Sequence, residues 1–548
     1  MAPHADLDND DLDRMPAPPR PTFSARPPRL MIIGAGSRGN SYARATGDST
    51  NGIIVAVAEP IAYKRQRLGE LYIWGKSGPG EGQSFSTWRE FVVWELERRE
   101  REKKGEEVPE GIDGVFICVL DEMHKEVIVG LAPLGLHIMC EKPLATTLQD
   151  CVDIYRSLLP TGSTAPSKIF SIGHVLRYSP HNMLLRKLLL EDRVIGDIMS
   201  VNHTEPVGWW HFTHSYVRGN WRKESTTAPS LLTKSCHDID LLLWMLCSPP
   251  PDALPSQAPH IPSTVSSSGA LQYFNRRRKP AAAGPATNCL SCPIEEQCKY
   301  SAKSIYMSAK HRGLATGNTD WPIDIVLPEI EECIASGKGE EALLSKLSDD
   351  YEKDAPIAEI EGRNWFGRCV YEADNDVCDE QVVTMTWDPS SVSTKEDGQA
   401  SPSQTRGQGQ GAKTAIFHMV AHTVKQCDRY TYYYGTEGEI YADSSTITVQ
   451  DFSDPRAAPK VYRPHLAGGG HGGGDDGLAR QFILAIDAVK NGGLEVRESQ
   501  RRFVGCSLEE CIRSHAMVFA AEEARTRKLV VDFPSWWERE VQAKVFPS

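Results

Sequence analysis

The sequence predicts an α/β protein, with a doubly wound parallel sheet in its N-terminal part and a C-terminal α+β domain built on a large, mainly antiparallel open sheet. Two patterns indicate this fold class. From Arg29, short apolar strands alternate with helical segments, as in parallel β-α-β units. Beyond Arg177, longer strands alternate polar with apolar residues, as strands with one buried face do. The chain has 548 residues, more than one hydrophobic core usually serves, which predicts at least two domains.

In the first domain, strands and helices are predicted to alternate in order. The elements are strand 30–34, helix 38–46, strand 53–58, helix 61–72, strand 114–119, helix 124–134, strand 136–140, helix 148–159 and strand 169–173. The charged run 98–107 is expected to extend a helix that begins at Trp88 and to face solvent. Strands of the second sheet are predicted at 198–205, 382–387, 415–421, 430–435 and 439–442.

Changes of composition set the domain boundaries. Residues 1–28, rich in Asp, Pro and Arg, predict a disordered tail. The parallel sheet is assigned to residues 29–175 and the second domain to residues 176–548. Within the second domain, the Pro-, Ser- and Ala-rich segment 249–285 and the Ser-, Gln- and Gly-rich segment 388–411 are predicted to be flexible surface insertions.

Overall composition narrows the class of partner. A net charge of -13 argues against nucleic acid and anionic membranes and favours small molecules. No apolar run approaches the roughly 18 residues that cross a bilayer. The acidic opening, Asp6 to Asp11, resembles neither a secretory signal nor a transit peptide, so a cytoplasmic location is expected. The fourteen cysteines are then expected to be reduced.

A glycine-rich turn follows the first strand. Gly34, Gly36 and Gly39 form a G-x-G-x-x-G pattern between an apolar strand and a helix, the order that dinucleotide binding requires. The first glycine allows a tight turn, the second lets the backbone approach a pyrophosphate, and the third lets helix and strand pack closely. Ser37 and Arg38 begin the helix, whose N-terminus is expected to receive the phosphate charge.

A carboxylate ends the second strand. Glu59 stands about twenty residues past the last glycine, where an acidic residue holds the ribose diol of NAD and repels the 2′-phosphate of NADP. Lys64, Arg65 and Arg67 follow closely and could hold such a phosphate, so NADP remains possible. A tight turn without a nucleotide is the structural alternative.

A second group of residues carries a family resemblance. Glu141, Lys142 and Pro143 follow a strand at the carboxyl edge of the sheet, and a later helix contains His237 with Asp240 three residues on. With the glycine turn, these features resemble the Gfo/Idh/MocA oxidoreductases over most of residues 29–530. The resemblance implies an N-terminal Rossmann domain, an open C-terminal sheet that often makes homo-oligomer contacts, and a sugar- or polyol-like substrate between them.

Lys142 and His237 are the predicted catalytic residues. Oxidation of an alcohol needs a base for the hydroxyl proton while hydride leaves the carbon, and the positive charge of NAD⁺ lowers the pKa of a neighbouring lysine. His237 titrates near neutrality and is the predicted acid/base partner. Glu141 is expected to contact the cofactor. A solvated lysine and a core histidine are the structural alternatives.

The predicted helix around His237 contains further candidate site residues. Helical spacing is expected to project Thr233, His237 and Asp240 to one side. Lys234 is predicted to be a substrate ligand or second base, and Asp240 an orienting or substrate-binding residue. Many members of the family carry an aspartate where this chain has Thr233, which puts a direct transfer of their proton relay in doubt. Asp238 should point elsewhere, as a cap or an ion-pair residue.

Other candidates come from loops at the predicted cleft. His124 is predicted to contact cofactor, with a helix cap as the alternative. Arg177 and Tyr178 are predicted to contact substrate at the crossover between the domains. His471, in a glycine-rich run before a helix expected near Leu478, is predicted to reach substrate from a mobile loop.

Three cysteines form the one conspicuous metal motif. Cys289, Cys292 and Cys298 lie in a C-x-x-C-x5-C pattern that is suited to structural zinc, with a fourth ligand such as Cys333 or His311. Reduced core cysteines are the alternative.

Taken together, these residues predict an NAD(P)-dependent oxidoreductase that transfers a hydride between a nicotinamide cofactor and a carbohydrate-like alcohol. Two other functions stay open. One is an NAD-dependent glycoside hydrolase that oxidises its sugar only transiently, and the other is a ligand-sensing regulator on the same scaffold.

Overall fold

A computed structural model describes residues 18–160, 163, 166–248, 258–389, 411–466 and 470–545. The first sheet has six parallel strands in the order β3-β2-β1-β4-β5-β6. Its strands are β1 (Arg29–Ile33), β2 (Ile53–Ala58), β3 (Ser84–Phe85), β4 (Gly114–Ile117), β5 (His137–Cys140) and β6 (Phe170–Ile172). The strand order reverses between β1 and β4, where doubly wound sheets bind ligands at their carboxyl edge. The predicted Rossmann fold is confirmed.

The second sheet has nine strands in the order β14-β13-β12-β11-β7-β10-β9-β8-β15. They are β7 (Ile198–Pro206), β8 (Thr264–Ala270), β9 (Glu380–Trp387), β10 (Lys413–Val420), β11 (Tyr430–Gly435), β12 (Gly438–Asp443), β13 (Ile447–Asp451), β14 (Lys460–Tyr462) and β15 (Val531–Asp532). Neighbouring strands run antiparallel except for β7 and β10. This confirms the predicted mainly antiparallel sheet.

Eighteen α-helices connect and cover these sheets in the described ranges. They are α1 (Ser37–Ser49), α2 (Ala62–Tyr72), α3 (Trp88–Lys103), α4 (His124–Leu131), α5 (Leu148–Leu158), α6 (Pro180–Arg186), α7 (Trp209–Phe212), α8 (Ser230–Thr233), α9 (Cys236–Cys247), α10 (Ile323–Val326), α11 (Ile330–Ala335), α12 (Gly339–Ser348), α13 (Ile357–Glu361), α14 (Gly474–Lys490), α15 (Val496–Ser499), α16 (Leu508–Arg527), α17 (Phe533–Trp537) and α18 (Ala543–Val545). Within the described ranges, no helix has both the length and the apolar character that crossing a membrane demands.

Two helices from the C-terminal part of the chain return to the first domain. The helix α14 packs on α1, and α16 packs on α5, α9 and β8. The ring of Phe482 on α14 meets Phe116 of β4 edge-on, with 5.4 Å between ring centroids. The first turn of α14 therefore lies beside the glycine turn, and α16 lies behind the Glu141–Pro143 segment.

Two predicted segments differ from expectation. Thr264–Ala270, within the predicted insertion 249–285, forms β8 and pairs with β9 along its length, so backbone pairing overrides the Pro- and Ser-rich composition. Residues 18–28 of the predicted tail lie against the first domain and against α14. Arg20 Nε donates to the Thr50 carbonyl at 2.7 Å, and Ser24 Oγ donates to Asp487 of α14 at 2.7 Å. The rest of that tail (1–17), residues 249–257 and residues 390–410 lie outside the described residues.

Candidate active site

The three glycines of the first turn have three different environments. Gly34 has a φ of +96°, and a Cβ there would lie 2.5 Å from the Cys118 carbonyl oxygen. A Cβ on Gly39 would collide with the carbonyl oxygen of Gly34. A Cβ on Gly36 would meet no protein atom within 4 Å. Two glycines thus permit close packing, and the third keeps the backbone open on the side where a ligand approaches.

The helix α1 begins directly after Gly36. No side chain caps its N-terminus, and its first turn contains no acidic residue. The partial positive charge of the helix end is therefore not neutralised by the chain itself, as an anion-binding helix start requires.

Glu59 lies at the end of β2 and is buried. Its carboxylate accepts hydrogen bonds from Ala35 N at 2.8 Å and from Ile61 N at 2.9 Å, which ties the strand end to the glycine turn. Of the basic residues downstream, Arg65 donates to the Glu59 carbonyl and Arg67 pairs with Glu331. Both guanidinium groups are thus already engaged by the protein.

Arg38 joins the predicted cofactor residues to the second domain. Its Nε donates to Glu141 Oε1 at 2.7 Å, and its Nη2 and Nη1 donate to Asp475 at 2.8 and 3.0 Å. The Tyr42 hydroxyl donates to Glu141 at 2.6 Å. Burial alone would raise the pKa of Glu141, but the Arg38 charge and these hydrogen bonds lower it below its usual value. Both ends of the Arg38 pair are therefore ionised, and the network clamps α1 to α14.

Lys142 points from the end of β5 toward the second domain. Its Nζ donates to the Thr233 carbonyl oxygen at 2.8 Å and lies 5.9 Å from the centre of the Trp221 ring. The Trp221 Nε1 donates in turn to the buried carboxylate of Asp121 at 2.8 Å. Because the backbone of Thr233 makes the contact with Lys142, the side chain at this position does not decide it.

His237 is buried and neutral. Its Nε2 lies 2.6 Å from Arg429 Nη2, and since a guanidinium only donates, Nε2 accepts and Nδ1 carries the hydrogen. Burial lowers the pKa of His237 well below its usual value, and the charge of Arg429 lowers it further. The prediction that His237 titrates near neutrality is wrong. Its Nδ1 has no hydrogen-bond partner among the described residues.

Arg429 and Lys234 share the buried carboxylate of Glu205, and Arg429 also contacts Asp238. Arg429 Nε lies 2.5 Å from Asp238 and 2.9 Å from Glu205, and Lys234 Nζ lies 3.0 Å from Glu205. The Lys234 Nζ also donates to Cys427 Sγ at 3.1 Å. Burial alone would lower the pKa of Lys234, but its neighbours Cys427 and Glu205 raise it. Lys234 therefore stays protonated, which contradicts its predicted use as a base, and Asp238 is confirmed as an ion-pair residue.

Arg177 and Asp240 bind each other instead of opening into the cleft. The guanidinium of Arg177 donates both Nε and Nη2 to Asp240, at 2.7 and 2.8 Å, and Ser514 donates to Asp240 at 2.5 Å. The Tyr178 hydroxyl donates to the Val504 carbonyl at 2.9 Å. All these side chains are buried. Their predicted substrate contacts are thus replaced by contacts within the protein, and Asp240 and His237, both on α9, have different partners.

Two histidines hold the Glu141–Leu144 turn. His124 has its ring nitrogens 2.7 Å from the Pro143 carbonyl and 3.3 Å from the Val119 carbonyl, so neither faces a cofactor, contrary to prediction. His515 Nε2 accepts from Leu144 N at 2.8 Å while Nδ1 donates to the Cys511 carbonyl at 2.8 Å. Ring atoms of His515 and His174 also come within 4.8 Å of Cys236 Sγ, but His515 has no nitrogen left to bind a metal.

A cavity of about 590 Å³ opens between the 425–431 loop, α6 and the loop that precedes α14. Its lining includes Leu176, His181, His203, Cys427, Arg429 and His471. His471 has a φ of 59° and places Nδ1 3.2 Å from Asp475, so it joins the cavity to the Arg38 network. The helix after it, α14, begins at Gly474, earlier than predicted.

Comparison with known proteins agrees with this geometry. Residues 29–164 match the family GFO_IDH_MocA, described as an oxidoreductase family with an NAD-binding Rossmann fold. This match places residues 29–164 in the Gfo/Idh/MocA oxidoreductase family.

Two curated relatives match about a quarter of this chain. The 2,7-anhydro-N-acetylneuraminate hydratase of Escherichia coli (strain K12) is 30% identical over 135 residues, 25% of this chain and 34% of that protein. The inositol 2-dehydrogenase 2 of Saccharopolyspora erythraea is 25% identical over 136 residues, 25% of this chain and 35% of that protein. The chain thus covers about a third of the length of the curated relatives it matches.

Solved structures extend the likeness in fold to nearly the whole chain. A levoglucosan dehydrogenase in complex with NADH and levoglucosan aligns with a TM-score of 0.54 at 15% identity, over 92% of this chain and 99% of that one. An oxidoreductase from Agrobacterium radiobacter, in complex with NAD⁺, L-tartaric acid and magnesium, gives 0.51 at 12% identity, over 93% and 99%. At such identities the alignments show a shared fold.

Sequence analysis missed several residues of this site. Arg429, Glu205 and Cys427 complete the surroundings of His237 and Lys234, and Asp475 completes those of Arg38. Arg429 gave no signal, since it lies in a connection between strands, outside any motif. Asp475 gave a weak signal, since it directly follows the glycine-rich run at the start of a helix.

Proposed function

We propose that the protein is an NAD-dependent oxidoreductase that transfers a hydride between the nicotinamide and a sugar- or polyol-like alcohol. One observation carries the proposal: Lys142 leaves the carboxyl edge of the parallel sheet beside the glycine turn and points toward Thr233 of the second domain. Relatives whose names include inositol 2-dehydrogenase and 1,5-anhydro-D-fructose reductase support this substrate class.

The residues of the first domain fit a dinucleotide. The open backbone at Gly36 and the uncapped start of α1 suit a pyrophosphate, and Glu59 stands at the strand end where a ribose is held. Arg65 and Arg67 are already engaged by Glu59 and Glu331, which favours NAD over NADP. Glu141 and Arg38 would then position the turn rather than bind the cofactor by charge, because each neutralises the other.

Within this proposal, Lys142 and His237 have different tasks. A bound nicotinamide supplies the hydride acceptor for oxidation. Lys142, in its neutral form, takes the proton of the substrate hydroxyl, with the Thr233 carbonyl holding its Nζ in place. His237 stays neutral and offers its unpaired Nδ1 hydrogen to a substrate oxygen. His471, at the rim of the cavity, is the remaining candidate for a substrate contact.

A redox-neutral reaction is the second candidate. Two relatives, 30% and 27% identical to the first domain, are named 2,7-anhydro-N-acetylneuraminate hydratase. The same residues could serve an enzyme that first oxidises a hydroxyl of the sugar to a carbonyl. Elimination or addition next to that carbonyl would follow, and return of the hydride would restore the hydroxyl. Such an enzyme turns over substrate without releasing NADH, whereas a dehydrogenase releases it.

The proposal extends to the assembly. Tyr432 and Tyr441 lie on the open face of the second sheet, half-buried, with 4.8 Å between ring centroids, and Tyr434 continues the row. Tyrosine is enriched in interfaces between subunits, so this face is proposed to make a homo-oligomer, which light scattering would measure. The fourteen free cysteines support a reducing, cytoplasmic location.

The deciding experiment measures cofactor binding and turnover with Lys142→Met. Purified protein is titrated with NAD and NADP and then assayed for NADH release over a panel of sugars, anhydro sugars and polyols. Lys142→Met should bind NAD as the parent does but lose about a hundredfold to ten-thousandfold in kcat, since it removes the proton acceptor.

Lys187→Met is the matched control, because Lys187 is exposed and pairs only with Asp192 in the described part of the chain. It should retain full turnover. Equal turnover by Lys142→Met and Lys187→Met would refute the proposed role of Lys142, and a protein that binds neither NAD nor NADP would refute the proposed function itself.

A further inference from the structure

Four cysteines gather outside the proposed active site. Cys289, at the start of the C-x-x-C-x5-C motif, lies next to Asn288, which forms an antiparallel β-bridge with Arg368. The amides of Cys289 and Cys369 each donate a backbone hydrogen bond of 2.8 Å across this bridge. Residues one place either side of a bridged pair share a face, so Cys289 and Cys369 project to the same side. Cys369, 71 residues beyond Cys298 in the chain, therefore joins the motif in space.

The other two cysteines of the motif close the group. The Cys298 thiol lies close enough to Cys289 and Cys292 to interact with both electrostatically, and the Cys369 thiol does so with Cys289. His311, an expected fourth ligand, is engaged elsewhere, because its ring stacks on Trp210 with 5.7 Å between centroids. Cys369 thus takes the place expected for Cys333 or His311.

A buried cation lies against the same group. Arg218 is 1% exposed, its Nη2 donates to Cys289 Sγ at 3.3 Å and to the Tyr300 carbonyl at 2.8 Å, and its Nε donates to the Arg368 carbonyl at 2.6 Å. Its Nη1 has no hydrogen-bond partner among the described residues. Arg218 forms no ion pair with any described carboxylate. The hydroxyl of the neighbouring Tyr306 is a neutral phenol and supplies no negative charge.

Such an arginine is costly unless something nearby carries negative charge. Removing a guanidinium from water without a counter-ion costs several kcal/mol. Four protonated thiols supply no charge, whereas a divalent metal held by four thiolates carries a net negative charge. A metal–thiolate centre would therefore provide the counter-ion that the surroundings of Arg218 otherwise lack.

We propose that Cys289, Cys292, Cys298 and Cys369 are the four thiolate ligands of one metal centre, of the class that holds zinc or iron. Among the described residues, no three of these four sulfur atoms lie within 4.8 Å of one another. Zinc would draw them together by side-chain rotation, and an iron–sulfur cluster would need less closure.

The centre would stabilise one wall of the proposed active site. Arg218 lies three residues before Trp221, whose ring faces Lys142. By holding Arg218 in place, the metal centre would also hold the segment that carries Trp221. It would join this segment to the two parts of the chain that supply the cysteines, residues 289–298 and Cys369. The metal assignment itself does not depend on the proposed reaction, and its test does not use activity.

The test is elemental analysis of the full chain, purified without chelators and under anaerobic conditions. Zinc near one atom per chain, or iron with acid-labile sulfide and visible absorbance, would each support the centre and name its metal. Cys369→Ser should lower that metal content at least tenfold. Cys333→Ser is the matched control, since Cys333 lies on α11 outside the group, and it should keep the metal.

A second measurement covers the case in which Cys369→Ser fails to fold. The unaltered protein is titrated with a mercurial reagent, and metal release is followed against the number of thiols modified. Release in step with four thiols supports the centre. A protein that contains neither zinc nor iron, or Cys369→Ser protein that keeps its metal while Cys333→Ser loses it, would overturn the proposal.

Discussion

Arg429 decides what His237 can do. The guanidinium occupies Nε2 of the imidazole at 2.6 Å and also lies 2.5 Å from Asp238, so it fixes the tautomer of the ring. Burial, together with the charge of Arg429, keeps the ring neutral against the opposing charge of Asp238. A histidine in this setting is a hydrogen-bond donor through Nδ1 rather than a titrating acid. The proton is therefore left to Lys142 in the proposed reaction.

Arg429→Met should return His237 to titration. The change removes a positive charge and a donor at hydrogen-bond distance while Asp238 remains, so the pKa of His237 should rise. Histidine NMR on selectively labelled protein would follow it, with His237→Gln to assign the signal. In the parent protein the His237 signal should not move between pH 5 and 8, and in Arg429→Met it should.

Arg193→Met is the control for this experiment, because Arg193 pairs with Asp197 at the surface, away from His237. It should leave the His237 signal unchanged. A His237 signal that stays fixed in Arg429→Met would mean that burial alone keeps the ring neutral.

Local sequence patterns predicted where single residues lie in the fold. They could not predict which residues distant in the sequence contact each other. Glu59 and Lys142 each follow a strand, so the pattern of the neighbouring sequence located both at the carboxyl edge. Asp240 was assigned to substrate because helical spacing could not show that Arg177, 63 positions away, would claim both of its oxygens. Arg429 lies 192 positions from His237, and only the folded sheet brings them together.

At the scale of elements, α1 shows how one helix serves two requirements. Its residue Gly39 faces β1 so closely that any Cβ would collide with the Gly34 carbonyl, a backbone atom that cannot rotate away. Its residue Gly47 has no atom within 4 Å of the Cβ position. The two glycines lie on the same helix and differ only in what they face, which makes them a matched pair.

Gly39→Ala and Gly47→Ala should therefore differ in sign. The first should cost roughly 1–3 kcal/mol of unfolding free energy through overpacking and should weaken NAD binding, because the glycine turn must shift. The second should be neutral or stabilise by up to about 1 kcal/mol, since alanine is the better helix former. Urea unfolding and an NAD titration would measure both. Equal stability of the two variants would refute the close approach of α1 to β1.

Element boundaries in the first domain were predictable because each strand is short, apolar and bounded by a turn. Strand 53–58 was predicted with the bounds that the structure gives. The second domain was harder: a continuous helix was expected through Thr233 and His237, but α8 ends at Thr233 and α9 begins at Cys236. The break separates Thr233 from the helix that carries His237 and Asp240, and hydrophobic periodicity carried no sign of it.

At the scale of the whole molecule, the folded state buries several neutral histidines. Burial lowers the pKa of His137 to about 4, of His214 to about 3 and of His515 to about 3. His211 and His237 are also lowered well below their usual value, mainly by burial. His137 and His515 each accept a hydrogen bond from a backbone N–H, which protonation would abolish.

These histidines should make the fold sensitive to mild acid. Each has a folded-state pKa below its unfolded value of about 6.5, so as pH falls below about 6.5 the unfolded chain takes up the protons first. Stability should be complete above that pH and fall between about pH 6.5 and 4, by roughly 1.4 kcal/mol per pH unit for each histidine. Carboxylates with lowered pKa, such as Glu141 and Asp475, would add to the loss only below about pH 4.

Urea unfolding at a series of pH values from 7.5 to 5 would measure this slope. Five histidines that charge only on unfolding correspond to an uptake of up to about five protons. His515→Gln keeps an acceptor for the Leu144 amide and should reduce the slope by about one proton, because one buried imidazole is gone. Unfolding that does not depend on pH across this range would mean that the histidines are as free to protonate in the folded chain as in the unfolded one.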